Sequence, residues 1–128
     1  MITLICGHPR AGKTTYSAQY GDAVLHLDEC GISPYEGVEE RIRHMVGDVV
    51  VEGVYSRAHR RLMLLSLYKG SGKATCIWLD TPLETRRQRV GYSRTLSEHF
   101  EPPTYAEGWD EIVIVRGERH DTVPRDQG

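Results

Sequence analysis

The run Gly7-His8-Pro9-Arg10-Ala11-Gly12-Lys13-Thr14 constrains this chain more than any other stretch. Residues 2–6 before it are apolar and rich in strand formers, and residues 12–20 after it read as a helix. Glycines at both ends let backbone N–H groups turn inward around an anion, and a helix starting there adds the positive end of its dipole. The spacing GxxxxGK[ST] between a strand and a helix is that of a loop wrapped around phosphates. Lys13 is placed to reach the β- and γ-phosphates of a nucleoside triphosphate such as ATP, and the Thr14 hydroxyl to join a Mg²⁺ shell. Gly7, His8, Pro9, Arg10, Ala11, Gly12, Lys13, Thr14 and Thr15 are therefore the candidate ligands of ATP. A second glycine-lysine group, Gly70-Ser71-Gly72-Lys73, is a connecting turn: Leu67 stands where the first glycine would be, and Ala74 follows the lysine.

Strand and helix patterns alternate along the rest of the chain. Strands are expected at 23–27, 48–52, 74–79 and 111–115, and helices at 36–46 and 57–68. Pro82 stands where the first turn of a further helix tolerates proline. Five apolar strands separated by helices predict an α/β, three-layer sandwich with a mostly parallel sheet. The domain is expected over 1–116, with a lid near 82–95. Residues 117–128 are polar, lack periodicity and are expected to form a mobile tail. At 128 residues the chain has room for one domain and none for a separate substrate domain.

Ligands of such sheets bind at the carboxyl ends of the strands. Asp28 and Glu29 close the second expected strand and Glu52 the third. Asp28 is the candidate general base and acceptor ligand, because a hydroxyl that receives phosphate must be oriented and give up its proton. Glu52 is a candidate for Mg²⁺ support through water, or for acceptor binding with Arg57. Arg86, Arg89 and Arg94 follow the fourth strand. Their planar guanidinium groups suit phosphate oxygens, and Arg89 and Arg94 are assigned to catalysis as charge neutralisers on the lid.

Net charge is only −2, yet charge is segregated. Residues 57–94 hold nine of the sixteen Lys and Arg but two of the eighteen acids. That asymmetry points to an anionic partner for one region. The three cysteines read as free thiols of a reducing cytoplasm, and the six scattered histidines have no zinc spacing. The amino terminus reads as a strand rather than a secretory signal, and no apolar run approaches the ~20 residues of a membrane span.

Taken together, GHPRAGKTT, LDE, VVVEG followed by YSRAHRR, and DTPLETRRQR resemble the P-loop kinase domain of phage and repair polynucleotide kinases. Residues 100–112, FEPPTYAEGWDEI, are similar to the P-x-x-x-E-G-F stretch near the end of such domains, with Trp109 in place of phenylalanine. The resemblance covers roughly residues 2–115. It implies a P-loop NTPase kinase fold, with Asp28 as general base toward a nucleic-acid 5′-hydroxyl and Arg89 and Arg94 on the donor phosphates. Glu52-Gly53-Val54 departs from the Asp-Thr-Asn of that family. Related small phage kinases phosphorylate hydroxymethylated pyrimidines within DNA, so a phage protein working in the host cytoplasm fits as well.

The leading expectation is thus an ATP- and Mg²⁺-dependent kinase of a DNA or RNA hydroxyl, with basic residues 57–73 tracking the acceptor backbone. A kinase of a free nucleoside or other small metabolite is the alternative. A non-catalytic nucleotide switch is a third reading. Neither the donor base nor the oligomeric state is legible.

Overall fold

The computed structural model describes residues 1–8, 11–21, 23–27, 34–82, 84–85, 88 and 100–125. Along them run β1 (Ile2–Gly7), α1 (Lys13–Ser17), β2 (Val24–His26), α2 (Pro34–Ile42), β3 (Val49–Glu52), α3 (Ala58–Leu67), β4 (Ala74–Leu79), β5 (Glu111–Arg116) and β6 (Arg119–Thr122). Short 3₁₀ turns follow α1 at Ala18–Tyr20 and precede β5 at Tyr105–Glu107. The strands form one sheet in the order β2-β3-β1-β4-β5-β6, parallel except for the antiparallel β5–β6 pair. The architecture is therefore the expected α/β sandwich, with one more strand than the apolar pattern shows.

Every residue of β1 is buried, as befits the middle strand of a parallel sheet covered on both faces. On one face Leu4, Cys6, Val51, Cys76 and Ile112 pack with Val38 and Ile42 of α2, Leu64 of α3 and Trp109. On the other, Ile5, Ile77, Leu79 and Val115 pack with Ala11 and Tyr16, the latter from α1. Val38 and Ile42 are four apart and Arg61 and Leu64 three apart, so each pair presents one buried helical stripe. The helix expected over 12–20 tightens into 3₁₀ geometry after Ser17.

The sixth strand lies in the segment expected to be a mobile tail. β5 and β6 join through Gly117-Glu118, and Arg116 pairs with Arg119. That two-residue loop with a leading glycine is the hairpin signal. β6 reads Arg-His-Asp-Thr because it is an edge strand, where charged side chains discourage further pairing. Beyond it the Val123 amide donates to the Ile112 carbonyl at 2.8 Å, and Tyr105 donates its hydroxyl to the Val123 carbonyl. Arg125 lies over the Tyr105 ring. Residues 119–125 are thus tied to the sheet and to the turn before β5.

From β1 the chain crosses to β2 at one edge, and from β4 it crosses to β5 toward the other. The carboxyl ends of β1 and β4 therefore flank the switch point of the sheet, where a crevice opens in such folds. The Gly7–Thr14 loop leaves β1 at that point.

Candidate functional site

Gly12 has φ 97° and ψ 21°, the left-handed region that costs any residue with a Cβ about 1–2 kcal/mol. Glycine there lets the chain turn from the loop directly into α1, whose first bond runs from the Tyr16 amide to the Gly12 carbonyl at 2.9 Å. The loop closes on itself as the Ala11 amide donates to the His8 carbonyl at 3.1 Å. Thr81, just past β4, donates its hydroxyl to the Ala11 carbonyl at 2.7 Å and pins the loop across the switch point.

Lys13 is 8% exposed and folds back over the loop, its Nζ donating to the His8 carbonyl at 2.9 Å. A primary ammonium can exchange a carbonyl partner for a phosphate oxygen, whose charge strengthens the bond. Thr14 and Thr15 are exposed at the start of α1. Pro9 and Arg10 lie outside the described residues.

Glu52, at the end of β3 beside Ile5 of β1, is buried. Its Oε2 is 2.8 Å from Nδ1 of His26, its register partner at the end of β2. The following glycine is dictated by space: a Cβ on Gly53 would fall 2.6 Å from the Leu27 Cβ. Among the described residues no group of three or more His, Cys, Asp or Glu side chains could hold a metal by itself. The Thr14 hydroxyl and the Glu52 carboxylate are oxygen donors of the kind that Mg²⁺ takes while keeping several waters.

The basic stretch after β3 differs from its sequence reading. Arg61 is fully buried, so it cannot track an acceptor backbone. Its guanidinium forks onto Glu107, Nε to Oε1 at 2.7 Å and Nη2 to Oε2 at 3.0 Å. It also donates to the carbonyls of Tyr55 at 2.7 Å and Glu101 at 2.8 Å. Burial by itself would push this guanidinium down, but the Glu107 hydrogen bonds and neighbouring negative charge hold it above its ordinary value. Arg57 is exposed with Glu101 at 3.6 Å, Arg60 reaches Glu39 at 3.4 Å and stacks over Tyr35, and Lys73 reaches Glu111 at 3.1 Å. Acids brought from elsewhere in the chain thus face four of the five cations in 57–73.

Glu107 explains the Glu-Gly-Trp segment. Its carboxylate caps the 3₁₀ turn with Thr104 and accepts from Trp109 Nε1 at 3.0 Å while gripping Arg61. Next to this group Phe100 stacks on Trp78, with centroids 5.6 Å apart and planes within 1°, and meets the His8 ring at 5.2 Å. Glu107 and Phe100 enter the sequence reading only within the 100–112 resemblance, with no role of their own. His26 alone was within reach, as the residue before Leu27-Asp28 at a strand end. Asp28, Arg86, Arg89 and Arg94 lie outside the described residues.

No family model matches the chain, and no curated protein matches it. Among solved structures it is similar to Kti12 of Chaetomium thermophilum, determined in complex with ADP-AlF3. The TM-score is 0.65 at 14% identity, covering 92% of this chain and 90% of that one. At that identity the likeness concerns the fold alone, a mostly parallel α/β sandwich.

Proposed function

We propose that this chain is an ATP-dependent phosphotransferase that moves the γ-phosphate to a hydroxyl of a nucleic acid, either a 5′-hydroxyl end of DNA or RNA or a hydroxymethyl-pyrimidine in DNA. The observation that carries the reading is the loop itself: left-handed Gly12, and Lys13 folded onto the His8 carbonyl at the sheet's switch point. The ADP-AlF3 bound to Kti12 supports a nucleotide in a similar fold.

In this mechanism the loop amides and Lys13 hold the donor phosphates, and Lys13 opposes the charge that builds as the terminal phosphoryl group moves. Asp28, two residues beyond β2, takes the proton of the acceptor hydroxyl as its oxygen attacks the γ-phosphorus and ADP departs. Arg86, Arg89 and Arg94 neutralise the donor phosphates from the segment after β4, and Arg57 contacts the acceptor. Thr14 would hold Mg²⁺ directly and Glu52 through water; when bound, the cation neutralises phosphate charge and aligns the oxygens.

A second reading, a kinase of a free nucleoside or other small metabolite, is favoured by one observation. Arg57, Arg60, Arg61 and Lys73 already face acids, which leaves less free positive charge for a phosphate backbone. Labelled ATP offered with 5′-hydroxyl oligonucleotides, hydroxymethyl-pyrimidine DNA and free nucleosides separates the two readings by which acceptor carries label. Asp28→Ala should abolish transfer while ATP binding, measured by calorimetry, stays as in the wild type. Full transfer by that variant would remove Asp28 from the mechanism.

A further inference from the structure

Lys13 donates to the His8 carbonyl, so what fixes His8 bears on where Lys13 sits. The half-buried His8 ring rests against Phe100 with centroids 5.2 Å apart. Phe100 is itself held from behind. Trp78 of β4 lies parallel to it at 5.6 Å, and the buried Arg61 guanidinium is 5.7 Å from its centroid. The next residue, Glu101, is fixed through its backbone on both sides, its amide donating to Ser56 at 2.8 Å and its carbonyl accepting from Arg61. An unbroken series of contacts therefore runs from the Arg61–Glu107 pair through Phe100 and His8 to the Lys13 ammonium.

We infer that Phe100 is a positioning residue for the phosphate loop: its ring holds His8 in place, and through the His8 carbonyl it sets where Lys13 waits for its anion. The inference rests on reading the loop as a nucleotide site, and it adds a residue from ninety positions downstream to the loop's machinery. Phe100 touches no phosphate in this account. It keeps an ammonium and the adjoining backbone pre-arranged, which lowers the ordering cost of binding.

The test compares His8→Ala, Phe100→Ala, Phe100→Tyr and the double alanine variant with the wild type. His8→Ala keeps the backbone carbonyl and removes only the ring that touches Phe100. One readout needs no nucleotide: the rate at which an amine-reactive ester acylates Lys13, followed by peptide mass spectrometry. The other is the dissociation constant of mant-ADP, and thermal melting monitors the fold.

Loss of one aromatic contact should raise Lys13 labelling and weaken mant-ADP each about fivefold. The double variant should do no more than the larger single, because both remove the same contact, and Phe100→Tyr should restore wild-type values. Unchanged labelling in His8→Ala and Phe100→Ala, or effects that add in the double variant, overturn the inference. If Phe100→Ala does not fold, His8→Ala against the wild type decides, since it changes only a partly exposed loop ring. If the wild type itself does not bind mant-ADP, the nucleotide reading falls, while the labelling rates still decide whether Phe100 sets the place of Lys13.

Discussion

Two cations are buried among the described residues, and they are held in different ways. Lys13 donates to the carbonyl of His8, five residues before it. Arg61 makes four hydrogen bonds, to Glu107, Tyr55 and Glu101, the carboxylate lying 46 residues away. A hydrogen bond from an ammonium to a neutral carbonyl can be exchanged for one to a ligand's oxygen. A guanidinium forked onto a carboxylate in the interior cannot leave without stranding a charge. The contrast separates a group built to exchange partners from a group built to fix the backbone around it.

The largest effect should come from the cation forked onto a carboxylate. Arg61→Ala leaves the Glu107 carboxylate buried without its partner and should cost about 3–5 kcal/mol of stability, read from urea unfolding. Replacing both members with apolar residues of similar volume, as in Arg61→Met with Glu107→Leu, should recover much of that loss. If Arg61→Ala unfolds at the wild-type urea concentration, the pair is not the clamp that the contrast requires.

The exchangeable cation should behave in the reverse way. Lys13→Ala should lower phosphoryl transfer about 10²–10³-fold, the usual result of removing one preorganised donor to developing charge. Its urea midpoint should stay close to that of the wild type, because a carbonyl losing one of its two donors keeps the Ala11 amide. A variant that loses stability as Arg61→Ala does would place Lys13 among the structural cations and erase the distinction.

The same contrast explains what sequence could reveal. The loop is legible because its physics is local: Gly7, Gly12, Lys13 and Thr14 act through backbone geometry within eight residues. The parallel strands are legible for a similar reason, since a strand buried on both faces must be almost wholly apolar, as TLIC and ATCIWL are but for one threonine each. Arg61 was misread as part of an acceptor-tracking stretch because its partner is distant in sequence, and an arginine in isolation looks solvated. Glu107 was visible only as part of a resemblance, not as an ion-pair partner. β6 was missed because an edge strand needs no apolar face, and only Gly117-Glu118 after EIVIV hinted at a hairpin. Glu52 stood at its strand end as expected, but nothing local shows that His26 would share its carboxylate.

The smallest predicted effect lies between the two regions. Cys6 leads into the loop and Cys76 lies on β4, their sulfurs 3.6 Å apart and both buried as free thiols. Burial, then the hydrogen bond with Cys6, pushes the Cys76 thiol well above its ordinary value; Arg61 pulls it the other way and Glu107 adds to the rise. The folded protein therefore keeps the Cys76 proton at a pH where the unfolded chain has released it. Stability is full below the ordinary thiol range near pH 8.5 and falls as pH rises above it, with a limiting slope of about 1.4 kcal/mol per pH unit. Tyr20 and Tyr68, also raised by burial, contribute alike in the wild type and in Cys76→Ala, so the difference between the two proteins isolates the thiol. Urea midpoints between pH 7 and 10 should converge as the wild type loses its advantage over Cys76→Ala. Parallel curves would mean that the space between loop and clamp is wet enough for a thiolate, and that the Arg61 region is less sealed than its hydrogen bonds imply.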